Sequence, residues 1–252
     1  MASAFDTGAR AATPIVGGNP TTLASGQNNP FGITVDADRV YWVNSNIAGE
    51  VMSVPIAGGE PTTLADNQGE PFEVVVANGI LYWTNLRGTV SKMPVTGGTP
   101  TVLAQRQAVP VSIAVDTNAL YWTSLGGGAI RSLPLVGESS VVPLFTHQDS
   151  PLFIRVRDGM LYWTSADQTR ASVFKAPVSG GAPVVLATSA DTSGIAVDDT
   201  GVYWTDQADG TVMRSLSKVA SPRCWRRISC FRGSSRPMPR MSIGSMPTVM
   251  AR

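Results

Sequence analysis

A Tyr-Trp pair occurs five times in this 252-residue sequence, and its regular spacing limits the possible folds more than any other feature. The pairs are Tyr41-Trp42, Tyr82-Trp83, Tyr121-Trp122, Tyr162-Trp163 and Tyr203-Trp204, so successive copies lie 41, 39, 41 and 41 residues apart. Repeats of this length that are built from strand-like segments are typical of β-propellers, in which each repeat forms one blade. The spacing therefore predicts one repeat architecture rather than a series of unrelated domains.

The second repeat shows how one unit is expected to fold. It contains four strand-like segments separated by Gly-containing turns, at residues 71–76, 80–84, 90–94 and 100–104. We label these segments a, b, c and d, and Asn78-Gly79 between a and b is a typical tight hairpin turn. A sheet of four short antiparallel strands cannot bury both of its faces alone, so neighbouring units must cover them.

Alternation along a strand places the Tyr and the Trp of each pair on opposite faces of the sheet. We therefore expect each ring to pack against a different neighbouring blade, in the core rather than in a binding site. Small residues in strand a, such as Gly32 and Ala114, are expected to leave room for a bulky neighbour such as the Trp. Asp36, Asp116 and Asp198 follow strand a and are interpreted as turn formers, because a carboxylate there can accept backbone N–H bonds.

The complete motif Tyr203-Trp204-Thr205-Asp206 and its four partial copies resemble the YWTD repeat, also called the low-density-lipoprotein-receptor class B repeat. The resemblance covers roughly residues 15–218. It implies an all-β fold, a six-bladed β-propeller of four-stranded antiparallel blades. It also implies a location outside the cytoplasm and a binding or spacing role rather than catalysis. The Gly-Gly-x-Pro linkers resemble those of bacterial surface members of this family.

The composition changes near residue 219. Residues 1–220 contain 12 Lys+Arg and all 18 Asp+Glu, whereas residues 221–252 contain seven Arg, no acidic residue and both cysteines, Cys224 and Cys230. We therefore expect a flexible N-terminus at residues 1–14 and a β-propeller at residues 15–218, with five Tyr-Trp repeats. Residues 20–24 are expected to form a ring-closing strand d, and residues 219–252 to be an aberrant basic tail that replaces most of blade six.

A sixth Tyr-Trp pair is expected near position 243, where the sequence has Ser242-Ile243-Gly244. One explanation is a frameshift, because codons read in a shifted frame permit Val-Tyr-Trp at this place. The other is a genuine basic tail that binds nucleic acid or an anionic surface. Both explanations predict five intact blades and a defective sixth, with exposed strand edges and an apolar blade face. A non-functional frameshifted fragment is a further possibility.

Other features narrow the functional classes. No apolar run reaches the roughly 18 residues that a membrane helix needs, so no membrane span is expected. Residues 1–10 lack the apolar segment of a signal peptide, so the compartment is unknown even though the resemblance implies an extracytoplasmic location. No metal, cofactor or nucleic-acid partner is predicted for the repeat region, which we expect to be monomeric.

The predicted function is a non-catalytic binding module for a protein or a glycan. The b–c and d–a loops vary from unit to unit and share one end of the blades, which makes this end the candidate binding face. Five candidate binding residues follow: Arg87, His147 and Asp206 in these loops, and Glu73 and Arg155 in strand a, which borders the central channel. No catalytic or metal-binding residue is assigned. The alternative is a metal-dependent propeller lactonase or lyase, similar to gluconolactonase or streptogramin lyase, favoured only by scattered Asp, Asn and Glu residues.

Overall fold

A computed structural model describes residues 18–137, 140–166, 171–189 and 191–216. In these residues the chain is built from β-strands without a helix, and the strands form five antiparallel sheets. The predicted all-β propeller class is therefore confirmed. The expected flexible N-terminus at 1–14, the basic tail at 219–252 and the position of the shifted Tyr-Trp motif lie outside the described residues.

Each sheet corresponds to one sequence repeat, and we call the sheets blades one to five. Blade one contains β1 Pro30–Val35, β2 Arg39–Asn44, β3 Glu50–Pro55 and β4 Thr62–Ala65. Blade two contains β5 Pro71–Ala77, β6 Ile80–Asn85, β7 Thr89–Pro94 and β8 Thr101–Ala104. Blade three contains β9 Pro110–Val115, β10 Ala119–Ser124, β11 Ala129–Pro134 and β12 Val142–Phe145. Blade four contains β13 Pro151–Arg157, β14 Met160–Ala166, β15 Ala171–Pro177 and β16 Val184–Ser189. Blade five contains β17 Thr192–Val197, β18 Val202–Asp206 and β19 Thr211–Ser215.

The strands of every blade follow one another as an antiparallel meander, so they are strands a, b, c and d in chain order. Two kinds of a–b turn are used. In blade two, Asn78 and Gly79 have φ of 50° and 72°, which fits a two-residue hairpin turn with a left-handed backbone. In blade one, Asp36 instead forms the turn, because its Oδ1 accepts the N–H groups of Asp38 and Arg39 at 2.9 and 2.8 Å. The predicted role of Asp36 as a turn former is confirmed, and Asp116 and Asp198 accept equivalent bonds.

The Tyr and Trp side chains hold neighbouring blades together. We call the two faces of a blade its Tyr face and its Trp face. The Tyr face of each blade packs on the Trp face of the next, as in the cluster that joins Tyr41 to Val74 and Trp83. Equivalent clusters join blade two to three, three to four and four to five. The predicted packing of the two rings against different neighbours is therefore confirmed.

The small residue Gly32 has a different role from the one expected. The Trp rings share a face with the β-branched residues of strand a, as the direct pairing of Ile33 with Trp42 shows. A Cβ atom on Gly32 would instead lie 2.6 Å from the Cα of Glu73 in the first strand of the next blade. Glycine is therefore required here by the close approach of two backbones, not by the volume of a Trp ring.

The Thr that follows each Tyr-Trp pair adds a polar link between blades. Strand a of blade two contains a register shift before Val74, and Thr84 Oγ1 accepts the Glu73 N–H there at 3.3 Å. The same hydroxyl donates to the Val111 carbonyl of blade three at 2.7 Å. Thr123 makes the corresponding two bonds between blades three and four. This residue satisfies backbone groups that the irregular strand a leaves without ladder partners.

Residues 20–24 form no ladder with another described strand, and the strand c predicted to pair with them falls outside the described residues, so the ring-closing strand d stays a prediction. Leu23 and Ala24 nevertheless pack on Trp42, Met52 and Val54 of blade one. The described part of blade five contains three strands, and the residues that follow the third lie outside the described ones.

Candidate functional site

Glu73 and Arg155 lie together at the channel formed by the first strands of the blades. Arg155 Nη1 of blade four is 3.0 Å from Glu73 Oε1 of blade two, so this ion pair connects blades that are not neighbours. The other carboxylate oxygen accepts the backbone N–H of Ile113 in blade three at 3.3 Å. Arg155 Nη1 also donates to its neighbouring Ile154 carbonyl at 2.7 Å.

The surroundings of Glu73 explain why a carboxylate is tolerated there. Its side chain is only 13% exposed, compared with 37% for Arg155, and both oxygens have donors. In blade three the hydroxyl of Ser112 takes the same position and accepts the Ile154 N–H at 3.0 Å. Glu73 therefore accepts a backbone N–H from the first strand of the next blade, as Ser112 does, but with a charged group. A cavity of about 300 Å³ lies beside it, lined mainly by Val and Ile side chains of four blades.

Arg87 lies on the surface, in the b–c loop of blade two. Its Nη2 is 3.5 Å from Glu70 Oε1, and the two side chains are 55% and 34% exposed. An exposed ion pair of this kind contributes little to stability, because water screens it. The guanidinium is therefore available to a ligand that offers a better-placed anion.

His147 lies in the d–a loop between blades three and four and is exposed. Its Nδ1 is 3.0 Å from Thr146 Oγ1, and its backbone has a φ of 56°, in the left-handed region. The structure therefore places the imidazole at the surface of the b–c/d–a end, on the same side of the blades as Arg87. It does not bring His147 together with Glu73 or Arg155.

Asp206 occupies the fourth position of the only complete Tyr-Trp-Thr-Asp motif and is 5% exposed. Its Oδ1 accepts the N–H groups of Ala208 and Asp209 at 3.1 and 3.3 Å, in the b–c turn of blade five. Buried polar residues take the same place in other blades, including Asn44 and Asn85. The structure thus places Asp206 within the turn rather than on its accessible surface.

The d–a loops contain a regularity that was visible in the sequence only as the repeated Gln-x-x-Pro. The residue before the Gln and the residue before the Pro have positive φ in all four described loops. These pairs are Gly26 and Asn29, Asn67 and Glu70, Arg106 and Val109, and His147 and Ser150. A β-branched residue such as Val109 rarely adopts this conformation, so the loop backbone is imposed by its surroundings.

The Gln side chain is one such constraint. Gln107 Oε1 accepts the indole N–H of Trp122 in blade three at 3.2 Å, and its backbone N–H donates to the Gly88 carbonyl of blade two at 3.0 Å. Gln27 makes the equivalent bond to the Trp42 indole at 3.1 Å. Gln107 thereby joins the b–c loop of blade two to the core Trp of blade three. The backbone bond to the preceding b–c loop recurs at Gln68 and Gln148, but the indole N–H groups of Trp83 and Trp163 have no hydrogen-bond partner among the described residues. The motif spacing was the available signal, but the pairing with Trp required the three-dimensional structure.

The a–b turns surround a second and larger cavity of about 1050 Å³ at the other end of the channel. Asp36 and Asp116 line it together with the ion pair between Arg157 and Asp199. Partial burial raises the pKa of Asp36, but hydrogen bonds from two backbone N–H groups and from Tyr41 outweigh this and hold the pKa below its ordinary value. These carboxylate oxygens are therefore already engaged by hydrogen bonds within the turns.

The tyrosine hydroxyls complete this network. Tyr41 donates to Asp36 Oδ2 at 2.8 Å, and Tyr121 donates to Asp116 Oδ2 at 3.0 Å. Burial and the neighbouring carboxylate raise the pKa of Tyr41 to about 12. Burial, followed by Asp116, also raises the pKa of Tyr121 well above its usual range. Both phenols are therefore stable donors at neutral pH.

Neither a metal-binding cluster nor a membrane helix is found in the part of the chain that the structure describes. No three His, Cys, Asp or Glu side chains of these residues come close enough together to hold a metal ion. The same residues include no helix long and apolar enough to span a membrane. The one described histidine, His147, is remote from the channel carboxylate Glu73.

Comparison with known proteins identifies the fold. No protein-family profile matches the sequence, and no curated protein matches it significantly. A chain from the crystal structure of a nidogen/laminin complex is similar, with a TM-score of 0.64, 22% identity and coverage of 74% of this chain and 75% of that chain. A streptogramin B lyase has a TM-score of 0.58 and 19% identity over 75% of this chain and 69% of the lyase. A gluconolactonase from Xanthomonas campestris has a TM-score of 0.58 and 17% identity, covering 70% and 69%. At these identities the likeness establishes the propeller fold alone.

Proposed function

We propose that this chain is a YWTD-type propeller that acts as a non-catalytic binding module, and that it binds a partner protein through its b–c/d–a end. The observation that carries the proposal is the repeated d–a loop. Its backbone has the same paired left-handed residues in four copies, whereas the side chains at those two positions change from copy to copy. A rigid frame with varied side chains is the arrangement that loop-based recognition uses.

The chemistry of this end favours a protein partner over a glycan. This end carries charged side chains such as Arg87, 55% exposed, and apolar ones such as Ile47, 69% exposed, and Val109, 38% exposed. Mixed apolar and charged surfaces are common in protein interfaces, in which Arg is enriched. The fold-level likeness to a chain of a protein–protein complex, nidogen/laminin, is consistent with such a role. We extend this proposal to a bacterial, extracytoplasmic protein, as the Gly-Gly-x-Pro linkers suggest.

The experiment compares two sets of four substitutions, one at each end of the blades. The first combines Glu70→Asn, Arg87→Ala, Arg106→Asn and His147→Asn. Asn is chosen at the three positions with positive φ because it tolerates that backbone conformation. The matched control combines Asp38→Ala, Glu60→Ala, Thr99→Ala and Thr117→Ala, all exposed at the a–b/c–d end.

A protein captured from a surface-protein extract would be identified by mass spectrometry, purified and titrated against each chain. We expect equal affinity for the unchanged chain and the control, and at least about tenfold weaker binding by the first set, a loss of about 1.4 kcal/mol or more. Equal melting temperatures would show that both sets fold. The proposal would be refuted if the first set of substitutions left the affinity unchanged. It would also be refuted if the chain bound a glycan array but captured no protein from the extract.

The enzyme alternative places chemistry at the channel, where Glu73 is the best-placed carboxylate. Its two oxygens are already engaged by Arg155 and by the Ile113 N–H, so the residues present do not fit a metal site there. Melting curves recorded with and without Ca²⁺, Mg²⁺ or Mn²⁺ separate the two functions. We expect no shift, whereas an increase of several degrees would indicate a cation bound to the folded state and would favour the lactonase or lyase reading.

A further inference from the structure

The channel between the first strands contains a guanidinium edge that no described residue engages. Arg155 Nη1 donates to Glu73 Oε1 at 3.0 Å and to the Ile154 carbonyl at 2.7 Å, and these two bonds hold the side chain in position. Arg155 Nε and Nη2 donate to none of the residues that the structure describes. The N–H groups of Nε and Nη2 form the edge of a guanidinium that can hold both oxygens of a carboxylate.

The walls beside Arg155 are apolar. The cavity of about 300 Å³ that Arg155 lines shares Val76, Val115 and Val156 with the cavity of about 1050 Å³ among the a–b turns. The two cavities are therefore successive parts of one channel. The three valines belong to blades two, three and four, and each of these blades packs on a described neighbour through both of its faces.

The outer end of this channel has the opposite charge. Asp36, Asp116, Asp158 and Asp199 line the cavity among the a–b turns together with a single cation, Arg157. Arg157 is paired with Asp199. The Asp158 side chain is 87% exposed, lies 3.8 Å from Arg157 Nε, and accepts a hydrogen bond from none of the described residues. Its carboxylate can therefore accept an ammonium group of a ligand.

The spacing of the two charged ends defines the length of a matching ligand. Asp158 follows Arg155 by three residues, which corresponds to roughly 10 Å along an extended strand. A molecule with a carboxylate, about five methylenes and an ammonium group reaches across such a distance once the hydrogen bonds at each end are included. Its methylenes would be removed from water by the valine walls, which favours binding.

We propose that the channel binds a small zwitterion from the a–b end, an ω-amino carboxylate whose carboxylate pairs with Arg155 and whose ammonium group pairs with Asp158. Its methylenes contact Val76, Val115 and Val156. The site lies away from the b–c/d–a end, so this proposal extends beyond the protein-binding function proposed above and can fail without it. It also requires no metal ion, which distinguishes it from the lactonase or lyase alternative.

The probe is ε-aminocaproate, titrated into the full chain by isothermal titration calorimetry. Caproate lacks the ammonium group and hexylamine lacks the carboxylate, so each retains one of the two proposed ionic contacts. We expect each of them to bind about tenfold more weakly than ε-aminocaproate. Trialanine has the same end groups on a peptide body, and tighter binding by trialanine would identify a short apolar peptide, rather than an ω-amino acid, as the zwitterion that fits best.

Two variants should affect different ends of the probe. Arg155→Gln should weaken the binding of ε-aminocaproate and caproate about tenfold and leave hexylamine unchanged. Asp158→Asn should weaken ε-aminocaproate and hexylamine about threefold and leave caproate unchanged, with a smaller loss because the carboxylate is exposed. Asn also tolerates the positive φ of this position. Lys92→Gln and Asp66→Asn are matched controls that should leave all three affinities unchanged, because these residues line neither cavity.

Glu73→Gln adds a test that an ion pair with a purely structural role would not meet. Glutamine can still accept the Ile113 N–H, but it no longer neutralises the charge of Arg155. We therefore expect this variant to bind caproate at least about threefold more tightly. If Arg155→Gln lowers the melting temperature by leaving Glu73 unpaired, the double variant with Glu73→Gln replaces it, because no lone charge then remains in the channel.

Four results would overturn the proposal. The first is no binding of ε-aminocaproate at concentrations up to about 10 mM. The second is an affinity for caproate or hexylamine equal to that for ε-aminocaproate. The third is a loss in Arg155→Gln or Asp158→Asn that is the same for all three probes. The fourth is an equal loss in the two control variants, because binding would then depend on overall charge rather than on the channel.

Discussion

Blade three and blade five have closely related sequences but very different surroundings. In blade three, Tyr121, Thr123 and Ile130 are 3%, 0% and 0% exposed because blade four covers its Tyr face. In blade five, Tyr203 is half-buried, Thr205 is exposed and Val212 is 80% exposed. The same residue types are therefore buried where a described neighbouring blade covers them and exposed where no described blade does.

The largest expected difference concerns the tyrosines. Tyr121→Ala should lower the free energy of unfolding by about 3–5 kcal/mol, the range for removing a buried aromatic side chain. Tyr203→Ala should cost less than about 1.5 kcal/mol, because that ring is half-buried and contacts the Arg214 guanidinium, 5.5 Å from its centroid. Chemical denaturation of both variants measures the two values. Equal losses would contradict the comparison.

Strand c should show the same contrast with a smaller effect. Ile130→Ala removes a fully buried side chain and should cost about 2–4 kcal/mol. Val212→Ala changes a side chain that is 80% exposed and should stay within about 0.5 kcal/mol of the unchanged protein. Thermal melts followed by circular dichroism are sufficient to compare them. A large loss at Val212 would mean that the Tyr face of blade five is covered in solution.

The polar link between blades provides a third comparison. Thr123→Val leaves the Ser112 N–H and the Leu152 carbonyl without their shared hydroxyl, at 3.0 and 2.6 Å, and should cost about 1–3 kcal/mol. Thr205→Val removes the bond from Gly194 N–H at 2.9 Å in an exposed position, where water can replace it. Its cost should be under about 1 kcal/mol. Urea denaturation distinguishes these values, and a reversed order would contradict the role assigned to this Thr.

The smallest effect at neutral pH is expected for a tyrosine hydroxyl. Burial and Asp36 raise the pKa of Tyr41 from 10.0 in the unfolded chain to about 12 in the fold. The resulting stabilisation is complete below pH 10 and is lost as the pH rises through about 12, because the unfolded chain then releases its proton more readily. Tyr41→Phe should therefore flatten the decline of stability between these values. Melting temperatures measured from pH 8 to 12 test this, and an unchanged slope would rule out Tyr41 as its source.

The sequence was sufficient to predict the propeller because its main determinants are local or periodic. Tyr-Trp spacing indicated one blade per repeat, and strand alternation placed the two rings on opposite faces. The Gln–Trp and Thr–carbonyl bonds could not be predicted in this way, because they join residues of different loops or blades. Gln107 and Trp122, for example, meet only after the d–a loop adopts its unusual backbone.

The candidate site was less predictable than the fold. Residue type and position identified Glu73 and Arg155 as channel residues, but not that they would form an ion pair across two blades. Asp206 was selected from its motif position, which could not show that its carboxylate faces its own turn. The cavity among the a–b turns was also missed, because uniform turns appeared purely structural in the sequence.

Contacts between blades run from each blade to the next along the chain: the first strands of blades one and two, two and three, three and four, and four and five are all in contact. Among the described residues, blades one and five are therefore the end units of a row of coupled units, each held by one neighbouring blade. Amide hydrogens should therefore exchange fastest in blades one and five and slowest in blade three.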